Sequence, residues 1–216
     1  MNKIIEALGV IILKKMDLYS LYSLKKFGLL KEYGWFKSFK EEISVDANGN
    51  PLPWITYPSI EFLSKRINSN MSVFEYGSGG STVWWASRVK DIVSVEHNKE
   101  WYRKTLTSVP VNVKLHYIEL DYGRAYSEKI SEYKNTFDIV VIDGRDRVNC
   151  AKNSIAALKP EGVIIWDNSD REEYSEGYQF LLENGFRKIE FIGLAPICPF
   201  KAETAIFYRT NNCLGI

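Results

Sequence analysis

The stretch VFEYGSGGST, Val73 to Thr82, runs from apolar residues into an acid and then breaks into a turn of glycine and serine. SVFEYG reads as a buried strand and the following STVWWASRV as a helix, so the glycines sit on a strand-to-helix turn. Outward from it the alternation continues. DIVSVEH is a second strand, NKEWYRKTLTSV a helix, VKLHYIEL a third strand and FDIVVIDG a fourth. The helix VNCAKNSIAAL, the turn KPEG and the strand VIIWDN follow. Strands that are apolar almost throughout and alternate with helices are what a parallel sheet covered on both faces requires, so the expected class is α/β, doubly wound. Beyond the helix YQFLLENGF, RKIEFIGLA and ETAIFYR have no helix between them. Two such strands pair antiparallel, which closes a seven-stranded, mostly parallel sheet with a C-terminal hairpin.

Upstream of the turn, residues 1 to about 45 read as helical, with a local repetition in LYSLYSLKKFGLL. DANGNPLPW is a turn cluster that separates this arm from the rest, so the expected division is an arm over 1–50 and a ligand-binding domain over 51–216. Pro58 then opens a helix, with Ile60, Leu63 and Ile67 at helical spacing. The N-terminal apolar run is broken by Glu6 and closed by Lys14 and Lys15 with no small-residue cleavage site, and it is too short to span a bilayer. A helix packed on the domain or on a second subunit is one reading of it. An amphipathic helix resting on a membrane surface, its lysines near headgroups, is the other.

With 216 residues, 45% of them hydrophobic, the chain is long enough to bury a sizeable core. Its 28 basic and 27 acidic residues leave a net charge of +1, so no global field draws it to nucleic acid or to an anionic membrane, which leaves only a local basic patch for either. Three cysteines without CxxC spacing suggest neither a disulfide framework nor a thiolate zinc site, and a cytoplasmic location is expected.

In open α/β sheets, ligands bind at the carboxyl ends of strands where the winding reverses. The glycine turn should therefore converge with the ends of strands two, four and five, which places Glu75, Glu96, Asp143 and Asp167 together. A dinucleotide turn wants G-x-G-x-x-G; Gly77 and Gly79 fit, Thr82 takes the third position, and Glu75 brings a negative charge near a pyrophosphate. No Gly-Lys-Ser/Thr follows, which excludes a P-loop. A ligand with a positive amine and an adenosine ribose suits the charges better. Glu75 would hold the amine directly or through water, and Glu96 would accept both ribose hydroxyls. S-adenosylmethionine (SAM) has these parts.

These residues resemble the class I SAM-dependent methyltransferases, whose first motif is an acid followed by x-G-x-G-x-G. Glu75, Gly77 and Gly79 match it, and Ser81 replaces the last glycine. The resemblance takes in Glu96, FDIVVIDG and the terminal hairpin, roughly residues 55 to 210. It implies that SAM lies on Gly77, Ser78, Gly79, Ser81 and Thr82, with Glu96 on the ribose, His97 touching adenosine and Asp121 at the adenine edge. His116, inside a strand, is read as structural.

IDG followed by IIWDN is similar to the metal-dependent O-methyltransferases of the catechol and caffeoyl-CoA type. That similarity implies Asp143, Asp167 and Asn168 as Mg²⁺ ligands. Arg145 and Arg147 follow Asp143 closely enough to neutralise it instead, and without a metal Asp143 becomes the catalytic general base. Arg145, Arg147 and Arg171 also suit an anionic group on a substrate. FYRTNNCLGI, PLPWITYPSIEFL and IDGRDR resemble bacterial methyltransferase-like proteins associated with polysaccharide biosynthesis, which implies a small-molecule or sugar acceptor. The expected function is O-methylation, with a homodimer possible. A nicotinamide oxidoreductase and a methyltransferase fold that binds without catalysing are the alternatives.

Overall fold

The computed structural model describes residues 3–216; Met1 and Asn2, which begin the expected N-terminal helix, lie outside it. The arm forms α1 (Lys3–Lys15), α2 (Tyr19–Phe27), α3 (Leu29–Glu32) and α4 (Trp35–Glu41). Gly34, at φ +81°, separates the last two, and a Cβ there would lie 2.2 Å from the carbonyl carbon of Asp46. Only glycine lets α4 come this close to the DANGN turn. The arm's inner end packs on the domain: Tyr33 stacks on Tyr57 at 4.6 Å, and the Trp35 indole donates to the Cys198 carbonyl at 2.9 Å.

The remainder alternates as the pattern requires. In order come α5 (Tyr57–Ser64), β1 (Ser72–Tyr76), α6 (Gly80–Ala86), β2 (Asp91–Glu96), α7 (Lys99–Leu106) and β3 (Val113–Tyr117). Then follow α8 (Ala125–Glu128), β4 (Phe137–Ile142), α9 (Arg147–Ser154), β5 (Leu158–Asp167), α10 (Ser175–Glu183), β6 (Arg187–Gly193) and β7 (Ala202–Tyr208). The sheet order is β3-β2-β1-β4-β5-β7-β6. β1 pairs parallel with both β2 and β4, so the winding reverses between β1 and β4, while β7 is antiparallel to β5 and β6. The doubly wound sheet and its terminal hairpin are thus present.

KPEG behaves differently from the expected turn. It lies within β5, where the register jumps from Phe137 opposite Leu158 to Ile139 opposite Val163. The Pro and Gly there are accommodated by a break in the ladder instead of a chain reversal.

Alternate residues of each strand feed opposite faces of the sheet. Phe74, Tyr76, Val140, Ile142, Ile164 and Trp166 build one core, and Val73, Ile92, Ile139, Val141, Ile165 and Ile206 the other. Glu75, between Phe74 and Tyr76, shares the parity of Val73 and points into the second core. Among the described residues no helix is long and apolar enough to cross a membrane.

Candidate functional site

A cleft of about 1090 Å³ opens where β1, β2, β4 and β5 end. Gly77, Ser78, Ser81, Glu96 and His97 line one side of it, and Asp143, Arg147, Asp167 and Asn168 line the other. The expected convergence of strand ends at the winding reversal is therefore observed, with Glu75 as the exception.

The turn is held from behind. Glu75 has no exposed surface; one carboxylate oxygen accepts the Thr82 hydroxyl at 2.5 Å and the Ser94 hydroxyl at 2.8 Å, while Oε1 has no partner. Thr82 Oγ1 in turn accepts the Gly79 N–H at 3.0 Å. Burial pushes the Glu75 carboxyl up to about 7, against hydroxyl hydrogen bonds that favour its charged form. The direct amine contact expected of Glu75 is not built, because its strand parity directs it into the core. Its negative charge is equally remote as an obstacle to a pyrophosphate, so that objection to a dinucleotide falls. Gly77 completes the turn at φ +93°, and a Cβ on it would lie 3.0 Å from the Cα of Gly144. Glycine is required on both counts, and it lets the loops after β1 and β4 meet at the cleft floor.

Glu96 ends β2 on the cleft wall, only 3% exposed. Its Oε2 accepts the Ser78 N–H at 3.0 Å and the Ser78 hydroxyl at 3.1 Å, and its Oε1 accepts the Asn98 N–H at 2.7 Å. His97 Nδ1 lies 3.2 Å from the same Oε1. Asn98 also caps α7 through its Oδ1, which accepts the Trp101 N–H at 2.9 Å. Trp101 then reaches back, its indole donating to the Ser78 carbonyl at 2.5 Å. The carboxylate is thus fixed in place by two backbone donors and the Ser78 hydroxyl; Oε1 keeps lone-pair capacity for a ligand hydroxyl, and Oε2 gains it when the Ser78 hydroxyl rotates away.

On the opposite wall, Arg147 at the start of α9 gathers the ends of β4 and β5. Its Nη2 donates to both the carboxylate and the carbonyl of Asp143 at 3.1 Å, its Nε to the Gly144 carbonyl at 3.0 Å, and its Nη1 to the Asp167 carbonyl. Asp167 Oδ1 accepts the Thr204 hydroxyl at 2.7 Å. Burial raises both acids; Asp143's charge raises Asp167 further, whereas the Arg147 guanidinium pulls Asp143 back down. The negative charge of the pair therefore settles on Asp143, whose side chain is 25% exposed to the cleft.

This arrangement does not fit the expected cation site. Asp143, Asp167 and Asn168 do share one wall, but a guanidinium bonds one oxygen of Asp143 and a hydroxyl one oxygen of Asp167, so a divalent ion would face a competing cation. Among the described residues no group of three or more His, Cys, Asp or Glu side chains could hold a metal. Asn168 contributes shape: it takes φ +54° at the strand end, a conformation asparagine tolerates.

Gly79 and Thr82 shape the turn without lining the cleft, and Asp121 lies off it, exposed and 3.6 Å from Arg124. Its expected place at an adenine edge is not assembled. Sequence reasoning missed Ser94, Trp101 and Thr204. Ser94 and Thr204 are the polar residues within apolar strands, and that interruption was the available signal.

No protein-family model matches the chain, and no curated protein matches it. Solved structures do resemble it. A precorrin-8w decarboxylase from Methanobacterium thermoautotrophicum superposes with a TM-score of 0.55 at 20% identity, over 78% of this chain and 97% of that one. An rRNA methylase from Streptococcus thermophilus gives 0.54 at 13% identity, over 70% and 93%. A tRNA (m1A58) methyltransferase from Aquifex aeolicus gives 0.51 at 14% identity, over 72% and 70%. At these identities the likeness concerns the fold, which is Rossmann-like and of the methyltransferase type.

Proposed function

We propose that the cleft binds SAM and that the chain transfers its methyl group to a hydroxyl of a small acceptor, such as a sugar or glycan precursor. The observation that carries this reading is Glu96: a fixed, buried carboxylate on the cleft wall at the end of β2, beside a glycine turn and across the cleft from Asp143. Such a carboxylate suits the vicinal hydroxyls of a ribose. Ser81 lies on the cleft in the turn that Glu75 braces through Thr82, and its hydroxyl is placed to accept a ligand amine.

When bound, SAM supplies the electrophilic methyl group. The chain's own work is alignment and proton removal. Asp143 accepts the acceptor's proton, having a carboxylate turned to the cleft and raised by burial toward the working range. Arg147 orients that carboxylate and keeps it charged. Around it, Arg171 is close enough to lower Asp143, and Arg145 and Lys201 line the cleft without an ion-pair partner among the described residues. These cations suit an acceptor carrying a carboxylate or phosphate. The near-neutral net charge offers no long-range attraction to a polynucleotide.

Calorimetric titration with S-adenosylhomocysteine (SAH), SAM and NAD tests the reading. SAH and SAM should bind the wild type, and Glu96→Ala should weaken them by about ten- to a hundredfold, the worth of a charged hydrogen bond. Binding of NAD in place of SAH would assign the cleft to a dinucleotide enzyme.

A further inference from the structure

We infer that α1 and α2 form a docking surface for an anionic lipid bilayer. Large apolar side chains are turned outward along this arm: Ile11, Ile12, Met16, Leu21, Leu24 and Phe27 are all exposed, Leu21 to 61% and Phe27 to 64%. α2 buries no residue at all. Soluble surfaces rarely carry so many large apolar side chains on two adjoining helices, and leaving them in water is costly unless something covers them.

Charge identifies what covers them. Residues 8–31 hold five lysines, Lys14, Lys15, Lys25, Lys26 and Lys31, against one acid, Asp17. Four of these lysines, Lys14, Lys15, Lys25 and Lys26, close the last turns of α1 and α2, beside the apolar residues, where they also complement the helix dipoles. Tyr19 and Tyr22 lie among them, Lys14 sitting over the Tyr19 ring at 5.2 Å and Lys26 donating to the Tyr22 hydroxyl at 2.6 Å. Apolar residues that enter acyl chains, flanked by aromatic hydroxyls and lysines at headgroup level, match an interfacial helix pair. A second copy of the chain is a poorer match, since pairing two arms would set lysine against lysine. Trp35 ties the arm's inner end to Cys198 on the cleft wall, so bilayer binding would hold the cleft close to the interface.

Co-sedimentation of the full chain with phosphatidylcholine vesicles, with and without phosphatidylglycerol, tests this. Binding should require the anionic lipid and fade as salt rises. Leu21→Glu with Phe27→Glu should abolish it while SAH binding and the far-ultraviolet circular dichroism of the domain persist. Lys14→Gln and Lys25→Gln, which leave the apolar face intact, should each weaken it by about fivefold. Equal binding to neutral and anionic vesicles, or no binding to either, would overturn the inference. So would a dimer in sedimentation equilibrium that Leu21→Glu with Phe27→Glu dissociates while wild-type protein ignores vesicles.

Discussion

Arg147 Nη2 lies 3.1 Å from Asp143 Oδ1, and the same guanidinium bonds the main-chain oxygens of Asp143, Gly144 and Asp167. One side chain thus neutralises the acid at the end of β4 and ties that end to the end of β5. Removing it should affect stability and chemistry together. Arg147→Ala leaves two buried acids facing each other with no cation between them. Urea unfolding should show a loss of about 3 kcal/mol, and less if the cleft admits water to Asp143. Without the guanidinium Asp143 also rises, so the rate profile of the variant should move to higher pH.

Asp143→Asn keeps the shape of the wall and removes the base. In steady-state kinetics on an identified acceptor, kcat should fall by about 10² to 10⁴ while SAH affinity holds. EDTA should leave the wild-type rate unchanged, because Arg147 already takes the place of a cation beside that carboxylate. A rate that collapses with EDTA and returns with Mg²⁺ would overturn this assignment.

Glu75 makes stability depend on pH in a defined sense. Its carboxyl rises from 4.5 to about 7 on folding, through burial. A raised acid stabilises the fold fully below its unfolded value, and that contribution is lost as pH climbs from 4.5 to about 7. Ionisation then costs up to about 3 kcal/mol. Glu75→Gln has no charge to bury, so the variant should gain on wild type across this window. Urea midpoints at the two ends of the window would show whether the difference opens.

Gly77→Ala meets two obstacles, a backbone at φ +93° and a Cβ placed 3.0 Å from Gly144. The loops after β1 and β4 must then part. A loss of about 2 kcal/mol should accompany weaker SAH binding, since the turn and the opposite wall move together. A variant with unchanged thermal midpoint and SAH affinity would show that the two loops do not need this contact.

Much of the fold was legible because burial on both faces writes near-continuous apolar runs, and those runs mark β1, β2, β4 and β5 with little ambiguity. Strand-end acids could be found by the same logic: Glu96, Asp143 and Asp167 follow directly on such runs. KPEG was misread because Pro and Gly signal a break in a strand and a reversal of the chain with the same letters.

Glu75 shows where one-dimensional reading stops. Its position before the glycines marked it as a ligand contact, yet the alternation of side chains along β1 sends it inward, onto Thr82 and Ser94. Which face a strand residue serves follows from the layers packed on the sheet. Thr204 lies far in sequence from Asp167, which it meets only after β7 has paired with β5, and Arg147, local to Asp143, reaches the Asp167 carbonyl only once β5 lies beside β4. The sequence by itself determined the alternation of elements and the acids available at the strand ends, since these depend on local hydrophobic period and turn chemistry. Tertiary structure decided that Arg147 bonds the ends of both β4 and β5, that Glu75 is a buried tie, and that the large apolar side chains of α1 and α2 point outward, because pairing, burial and exposure belong to surfaces that come together only in the folded chain.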